Sequence, residues 1–393
     1  MLGKQSEISV LVVGTPRRAA FADTMLQDID RGFRLSGVDS QLVLLESDDL
    51  QPYFDKRDEL INAGREVCQF DLNASFSISA LECEPRPRRF TLLIDHPYFH
   101  LERLLSCDRE VEIGVVDRTH MTALQDYGLD FPVRFVPHGG PDPDLLPLPM
   151  EQRDIDVLYC ANLSPLIFEP VFMRELEGLP VPLKTLVTET INLVMGGRSD
   201  IHASLREACQ ATQRQPLSAL PAEHLKIALN LIEGLTVSLQ RRDVVEALCR
   251  IPGGNVHIVG NIPDILSREA LNPLPNVEIH GLLPFPQVID MMRRAKLLVN
   301  SNFSLSGGAH ERIWQGMATG CVLLTNDSSF MRDSFTHGRD ILFLPENPTH
   351  LPGLVEEWLE TPECLAEMAA QTSIAYRENH LWKHRMASLF SPN

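Results

Sequence analysis

The stretch LLVNSNFSLSGGAHERIWQGMATGCVLLTN, residues 297–326, carries the pattern from which the fold is read. The apolar run Leu297 to Asn300 predicts a short buried strand. A Ser/Gly loop follows, then a helix over Ala309 to Thr319 that stops at Gly320, the residue type that most readily ends a helix. Val322 to Thr325 predicts the next strand. Two short apolar strands joined by one helix make a βαβ unit, whose strands run parallel. The Ser/Gly loop then lies beyond the carboxyl end of a strand, where open α/β sheets bind ligands.

The alternation extends both ways along the chain. Asp340 to Leu344 predicts a further strand, and Leu351 to Leu359 and Cys364 to Asn379 predict closing helices. Upstream, strands are expected over Asp156 to Cys160, Val256 to Val259 and Val277 to Ile279, with a mainly helical region between Pro165 and Arg250. The N-terminal half repeats the scheme: Ile8 to Val13, Gln41 to Leu45, Arg89 to Ile94, Glu112 to Val116 and Val133 to Val136 read as strands ending in turns. Pro141, Pro143, Pro147 and Pro149 block helix and ladder alike, so residues 140–149 read as a linker. The pattern predicts an α/β protein of two Rossmann-like domains, residues 1–145 and 146–370, with parallel sheets facing an interdomain cleft. Residues 371–393 are expected to pack back toward the first domain.

Composition narrows the function. The 393 residues include 53 acidic and 35 basic side chains, a formal net charge of −18, with 44% hydrophobic and 22% charged residues. That mixture is globular, and its sign argues against nucleic acid as a partner. The densest basic cluster, Arg86, Arg88 and Arg89, is short. Eight cysteines include no CxxC pair, which reads as buried free thiols in a reducing compartment. The N-terminus enters a strand directly and no apolar run has the length of a membrane span. A cytoplasmic location is expected.

Strand ends select the candidate site residues. In the first half they are Gly14-Thr15, Asp95-His96, Asp117-Arg118 with His120, and His138-Gly139-Gly140. In the second they are Asn162, Gly260-Asn261, Ser301 to Arg312, and Asn326-Asp327. Gly307 and Gly308 admit a ligand close to the backbone, and the helix start after them suits a diphosphate. Glu311 and Gln315, one turn apart, share a face. Glu311 reads equally as a stabiliser of that helix start. His96 and His100 are spaced like a metal pair but lack a third ligand, so no metal is expected. As a proton acceptor, His96 or Asp95 fits its place after a strand; capping and structural roles fit equally well.

The stretch GGAHERIWQGMATGCVLLTNDSSFMRDSFTHGRDILFLP, residues 307–345, resembles the C-terminal domain of CgeB-like glycosyltransferases, a GT-B family. The likeness lies in the His-Glu-Arg at a helix start, the Ala-x-Gly, the apolar strand ending in Thr, and the loop Phe335 to Asp340. Upstream, VEIHGLLPFPQVIDMMRRAKLLVNSN (277–302) is similar to the strand–Gly–helix–strand segment of that domain, and Arg153 to Asn162 to its opening strand. The resemblance implies a GT-B-like fold and a nucleotide-diphospho-sugar donor, with no cofactor and no metal. It implies a donor site of Asn162, Arg242, Gly260, Gly307, Gly308, His310, Glu311, Arg312, Gln315 and Asn326. Arg242 is taken from the pair Arg241-Arg242 as the basic residue facing the phosphates. Many retaining members carry two glutamates here; this chain has Gly307 and Gln315 in their places, which leaves both retention and inversion open. His96 or Asp95 would receive the acceptor's proton in an inverting reaction. The acceptor is not specified. A sugar-nucleotide epimerase, a ligand-closing binding protein and a non-catalytic GT-B partner subunit are the alternatives.

Overall fold

The computed structural model describes residues 8–16, 20–76, 86–143, 147–197, 200–301 and 303–390. Residues 144–146 of the expected linker, Cys83 and Asn302 lie outside them. The chain divides into two compact units, residues 1–142 with 379–393, and residues 143–378.

The first unit is built on six parallel strands: β1 (Ile8–Gly14), β2 (Asp39–Leu44), β3 (Glu66–Leu72), β4 (Arg88–Leu93), β5 (Glu112–Val115) and β6 (Val133–Phe135), in the order β2-β1-β3-β4-β5-β6. Helices α1 (Ala20–Leu35), α2 (Gln51–Asn62), α3 (Leu101–Leu105) and α4 (Arg118–Asp126) connect them. Strand β3 was not among the expected elements. Its sequence EVCQFDL interrupts the apolar run with Gln69 and Asp71, yet both are fully buried. Their polarity is answered in place: Tyr53 and Gln69 side chains lie 3.2 Å apart, and Asp71 accepts a hydrogen bond from the Thr91 hydroxyl at 2.7 Å. Buried polar groups persist where they are satisfied in this way.

The C-terminal helix, Trp382–Phe390, packs along α1. Trp382, Met386 and Leu389 join a core made by Val10, Ile29, Phe33 and Phe70. Two glycines admit it: a Cβ on Gly32 would lie 2.9 Å from Trp382 Cβ, and one on Gly139 2.9 Å from Trp382 Cα. The segment belonging to this unit begins at Asn379, not at residue 371, because the helix Pro362–Asn379 runs through that position unbroken.

The second unit carries β7 (Ile155–Cys160), β8 (Val256–Val259), β9 (Val277–His280), β10 (Ala295–Asn300), β11 (Val322–Thr325) and β12 (Leu342–Phe343), all parallel, in the order β12-β11-β10-β7-β8-β9. Its helices are α5 (Glu169–Glu177), α6 (Val181–Met195), α7 (Ile201–Gln213), α8 (Ala222–Leu248), α9 (Ile262–Ile265), α10 (Arg268–Leu271), α11 (Phe285–Arg294), α12 (Glu311–Ala318), α13 (Ser329–Ser334), α14 (Leu351–Leu359) and α15 (Pro362–Asn379). Helix α12 begins two residues later than the sequence suggests, with His310 as its cap, and Gly320 follows it at φ +81°. Trp314 is fully buried, as expected of a core residue. Six described cysteines are buried and Cys364 is exposed; all seven are free thiols. Among the described residues no helix is long and apolar enough to cross a membrane.

Candidate functional site

Chain order reverses in the second sheet between β7 and β10, which are neighbours although three strands apart in sequence. At such a switch point the connections leave on opposite faces and open a crevice beyond the strand ends. The residues there are Cys160, which ends β7, with Ala161 and Asn162 after it, and Asn300, which ends β10, with Ser301 after it. Tyr159, fully buried, shares a hydrogen bond with the Ser301 hydroxyl across the switch point. Burial pushes the Tyr159 phenol up, against the opposing pull of Arg241 and Arg312.

Two guanidinium groups converge on this position. Arg241, on α8, donates from Nη1 to the Asn162 carbonyl at 2.9 Å. Arg312, in the first turn of α12, reaches Asn300 Oδ1 at 3.5 Å, the outer limit of a hydrogen bond. Asn300 is itself anchored, its amide donating to the Thr325 hydroxyl at 3.1 Å. Burial depresses the Arg241 pKa; the Tyr159 hydroxyl, Glu233 and Glu311 oppose that shift while the Arg312 charge adds to it. Both charges act on the buried Tyr159, and Arg312 acts on Arg241, so positive charge gathers at this crevice.

The loop before α12 is pinned from the next strand end. Ser328 Oγ donates to the Gly308 carbonyl at 2.6 Å, and the Ser329 amide to the Ser306 carbonyl at 3.0 Å. Gly307 and Gly308 are buried. His310 caps α12, its Nδ1 accepting the Arg312 amide at 3.2 Å, and the same nitrogen lies 3.0 Å from Glu311 Oε2. Glu311 and Gln315 are half-buried on one face of α12. Asn326, half-buried, follows β11.

Gly260 makes the closest backbone approach of the site. It sits at φ +144°, and a Cβ there would lie 1.7 Å from the Ala161 carbonyl oxygen. The neighbouring loops are laced together: Asn162 Oδ1 accepts the Asn261 amide at 3.2 Å, and Asn261 Oδ1 accepts the Leu163 amide at 2.7 Å. The structure thus gathers Asn162, Gly260, Glu311 and Arg312 with Arg241. It does not bring Arg242 there. That side chain pairs with Asp243 at 2.8 Å and Glu246 at 3.7 Å along its own helix. Arg241 is the residue that sequence reasoning passed over; the pair was visible, its orientation was not.

In the first unit, β4, β5 and β6 each deliver a histidine to the carboxyl edge. His96, His120 and His138 are all buried, and the rings of His96 and His120 lie 5.0 Å apart. His96 Nδ1 accepts the Tyr98 amide at 3.2 Å, which caps the following turn and assigns the neutral ring's proton to Nε2. In that tautomer His96 offers a donor, not a base. Asp95 beside it is exposed, accepts from Asn73 Nδ2 at 2.9 Å and lies 3.5 Å from His100 Nε2. Partial desolvation raises the Asp95 carboxyl, but His100 and Asn73 outweigh it and hold the group below its usual range. Burial pushes His138 down to about 4, with Arg385 adding to the effect against Asp95. The arginines of the basic cluster all meet carboxylates, Arg88 with Glu112 and both Arg86 and Arg89 with Asp108.

The sequence profile of the glycosyl transferase-like family matches residues 240–391, which contain Arg241, the 307–312 loop and helix start, and the C-terminal helix. No curated protein sequence matches the chain. Among solved structures, sucrose-phosphate synthase from Thermosynechococcus elongatus is 9% identical, with 98% of this chain and 97% of that one covered at a TM-score of 0.53. Anabaena HepE in complex with UDP-glucose is 10% identical, with 97% and 98% covered at 0.52. The DNA-modifying enzyme β-glucosyltransferase is 12% identical, with 98% of each chain covered at 0.51. At such identities the likeness is one of fold. Two Rossmann-like units, each on a six-stranded parallel sheet, and these structural neighbours together place the chain in the GT-B fold.

Proposed function

We propose that the protein moves a sugar from a nucleotide-diphospho-sugar to an acceptor hydroxyl, as a CgeB-like GT-B glycosyltransferase that needs no metal ion. The observation that carries this reading is the convergence of Arg241 and Arg312 on the β7/β10 switch point. A departing nucleoside diphosphate gains negative charge as the glycosidic bond breaks, and preorganised cations at that place lower the barrier. Two guanidinium groups and the start of α12 supply the positive charge that a divalent cation would otherwise bring. Asn162 and Gly260 shape the floor, while Glu311 and Gln315 are suited to hydroxyl groups of ribose or sugar. Gly307, Gly308, His310 and Asn326 complete the donor set. HepE and β-glucosyltransferase were solved with UDP-glucose, which makes it the first donor to try.

On the acceptor side we assign proton removal to Asp95, the exposed carboxylate of the first unit's rim, with His96 orienting that rim through its cap. A single displacement with inversion follows from that assignment. The test is nucleoside diphosphate release from UDP-glucose and related donors, with chelator present and with candidate sugar, lipid-linked and small-molecule acceptors. Acceptor-dependent release supports the proposal. An epimerised donor without release would point to an epimerase. A folded protein that binds no nucleotide would leave only the non-catalytic partner reading.

A further inference from the structure

Strand β9 is the edge of the second sheet and pairs with β8 in the register His257↔Glu278 and Val259↔His280. Val256, Ile258 and Val277 face the core, so the alternation puts His257, Glu278 and His280 together on the other face. Three ligand-type atoms meet there. His257 Nδ1 lies 2.8 Å from His280 Nε2, and Glu278 Oε2 lies 3.9 Å from the first and 3.7 Å from the second. A triangle with those edges has a circumradius of about 2 Å, the bond length of zinc to imidazole nitrogen or carboxylate oxygen. Among the described residues, this is the group of histidine, cysteine and carboxylate side chains close enough to share an ion.

The shell behind the triangle sets the tautomer. His257 Nε2 is 3.1 Å from Asn255 Oδ1, and Asn255 Nδ2 is already committed to the Asp154 carbonyl at 2.9 Å. Asn255 therefore presents an acceptor, His257 donates its Nε2 proton to it, and Nδ1 is left with its lone pair facing the triangle. A ligating histidine is held in this way by its second nitrogen. Arg294, whose charge also reaches His257, is matched by Asp154 at 2.5 Å. The Glu278 side chain is 62% exposed, leaving room for water in a fourth position.

We propose that His257, Glu278 and His280 bind one divalent transition-metal ion of the zinc class, which ties edge strand β9 to β8. Two imidazoles and one carboxylate suit zinc over calcium or magnesium. Ligation uses the Nε2 lone pair of His280, so in the loaded site the ring's one proton sits on Nδ1. The ion is structural, and this inference stands independently of the assigned transfer reaction.

The experiment uses the full chain freed of metal by chelation and dialysis. Zinc is titrated by calorimetry, cobalt by its visible ligand-field absorption, and thermal unfolding is followed with and without zinc. Expected results are one saturable equivalent, a tetrahedral-type cobalt band and a higher melting temperature with zinc. Glu278→Gln, at an exposed position, should weaken zinc binding by at least about tenfold, the lower end of what even outer-shell changes cost. His280→Ala should remove the cobalt band. Absence of a saturable equivalent, or affinity unchanged in Glu278→Gln and His280→Ala, overturns the site. If His280→Ala does not fold, the Glu278→Gln titration decides alone.

Discussion

Replacing Arg241 by methionine separates a binding role from a structural one. Methionine keeps most of the aliphatic stem of α8's arginine and removes the charge. In the unliganded protein the guanidinium gives one hydrogen bond, to the Asn162 carbonyl at 2.9 Å. A bond of that kind contributes about 1 kcal/mol net. Against it stand the desolvation of the cation and the neighbouring Arg312 charge, both of which disfavour the charged form. The two effects are of similar size, so the melting temperature should move by no more than about 3 °C, the shift that about 1 kcal/mol produces in a domain of this size. Nucleotide binding should behave differently. A charge-assisted hydrogen bond to a phosphate contributes about 1.5–3 kcal/mol, which at about 1.4 kcal/mol per decade raises Kd roughly 10- to 150-fold. Calorimetric titration with UDP, and with GDP and ADP in turn, reads the affinity; thermal unfolding of the same samples reads the stability. Unchanged affinity, or a loss of affinity matched by loss of fold, would refute the reasoning.

Other outcomes follow from the same geometry. Arg312→Ala should weaken nucleotide binding by about 1.5–3 kcal/mol, whereas Arg242→Ala, which breaks only a helix-surface pairing with Asp243 and Glu246, should change it by less than about 0.5 kcal/mol. Asp95→Asn should cut turnover by roughly 10² to 10⁴ while donor affinity in calorimetry stays put, the signature of a lost general base; a parallel fall in both would make Asp95 structural. His138 and His380 are pushed down to about 4 and about 3, chiefly by burial, so both stay neutral in the fold where the unfolded chain would bind protons. Their stabilising effect is complete above pH about 6.5 and is lost as pH falls toward those values, about 2 kcal/mol for each by pH 5; denaturant titrations across that range should show it, and His380→Gln should flatten the slope. Gly32→Ala forces a methyl to within 2.9 Å of Trp382 Cβ and should cost the first unit about 1–3 kcal/mol, measured by chemical denaturation.

Much of the fold could be read from the chain because parallel strands buried on both faces leave continuous apolar runs. Val10 to Val13 and Leu297 to Val299 are of this kind, and each is followed by the turn residues that mark a βα connection. The exception is instructive. Gln69 and Asp71 give β3 the pattern of a half-exposed strand or a loop, and only the Tyr53 and Thr91 side chains, remote in sequence, make their burial tolerable. A polar residue's partner is a tertiary fact, absent from local periodicity. The same limit applies to the site. Gly307, Gly308 and Arg312 are proposed from a strand end and a helix start, and the structure does place that loop and helix start after β10. Arg241 and Arg242 are adjacent on a helix of 27 residues, and one residue is a rotation of about 100°. Which of them meets the strand ends depends on how α8 is seated against β7, and no local signal encodes that.

The topology explains why the arginine that reaches the crevice is the one on α8. In the order β12-β11-β10-β7-β8-β9, α8 leads from the region after β7 back into β8, while α12 leads from β10 into β11. These two connections leave the switch point in opposite senses, so a side chain from each can reach the crevice from its own side. Arg241 does so by leaning on the Asn162 carbonyl, and Arg312 by starting its helix at the strand ends. Gly260 lets the β8 end come close enough to Ala161 for the Asn162 and Asn261 loops to interlock and hold that carbonyl in place. The mutual repulsion of the two cations is therefore sustained by backbone packing, not by their own pairing. On the proposed transfer reaction, a diphosphate placed between them would relieve that repulsion and gain both hydrogen bonds, a stronger inducement to bind than either arginine alone could offer.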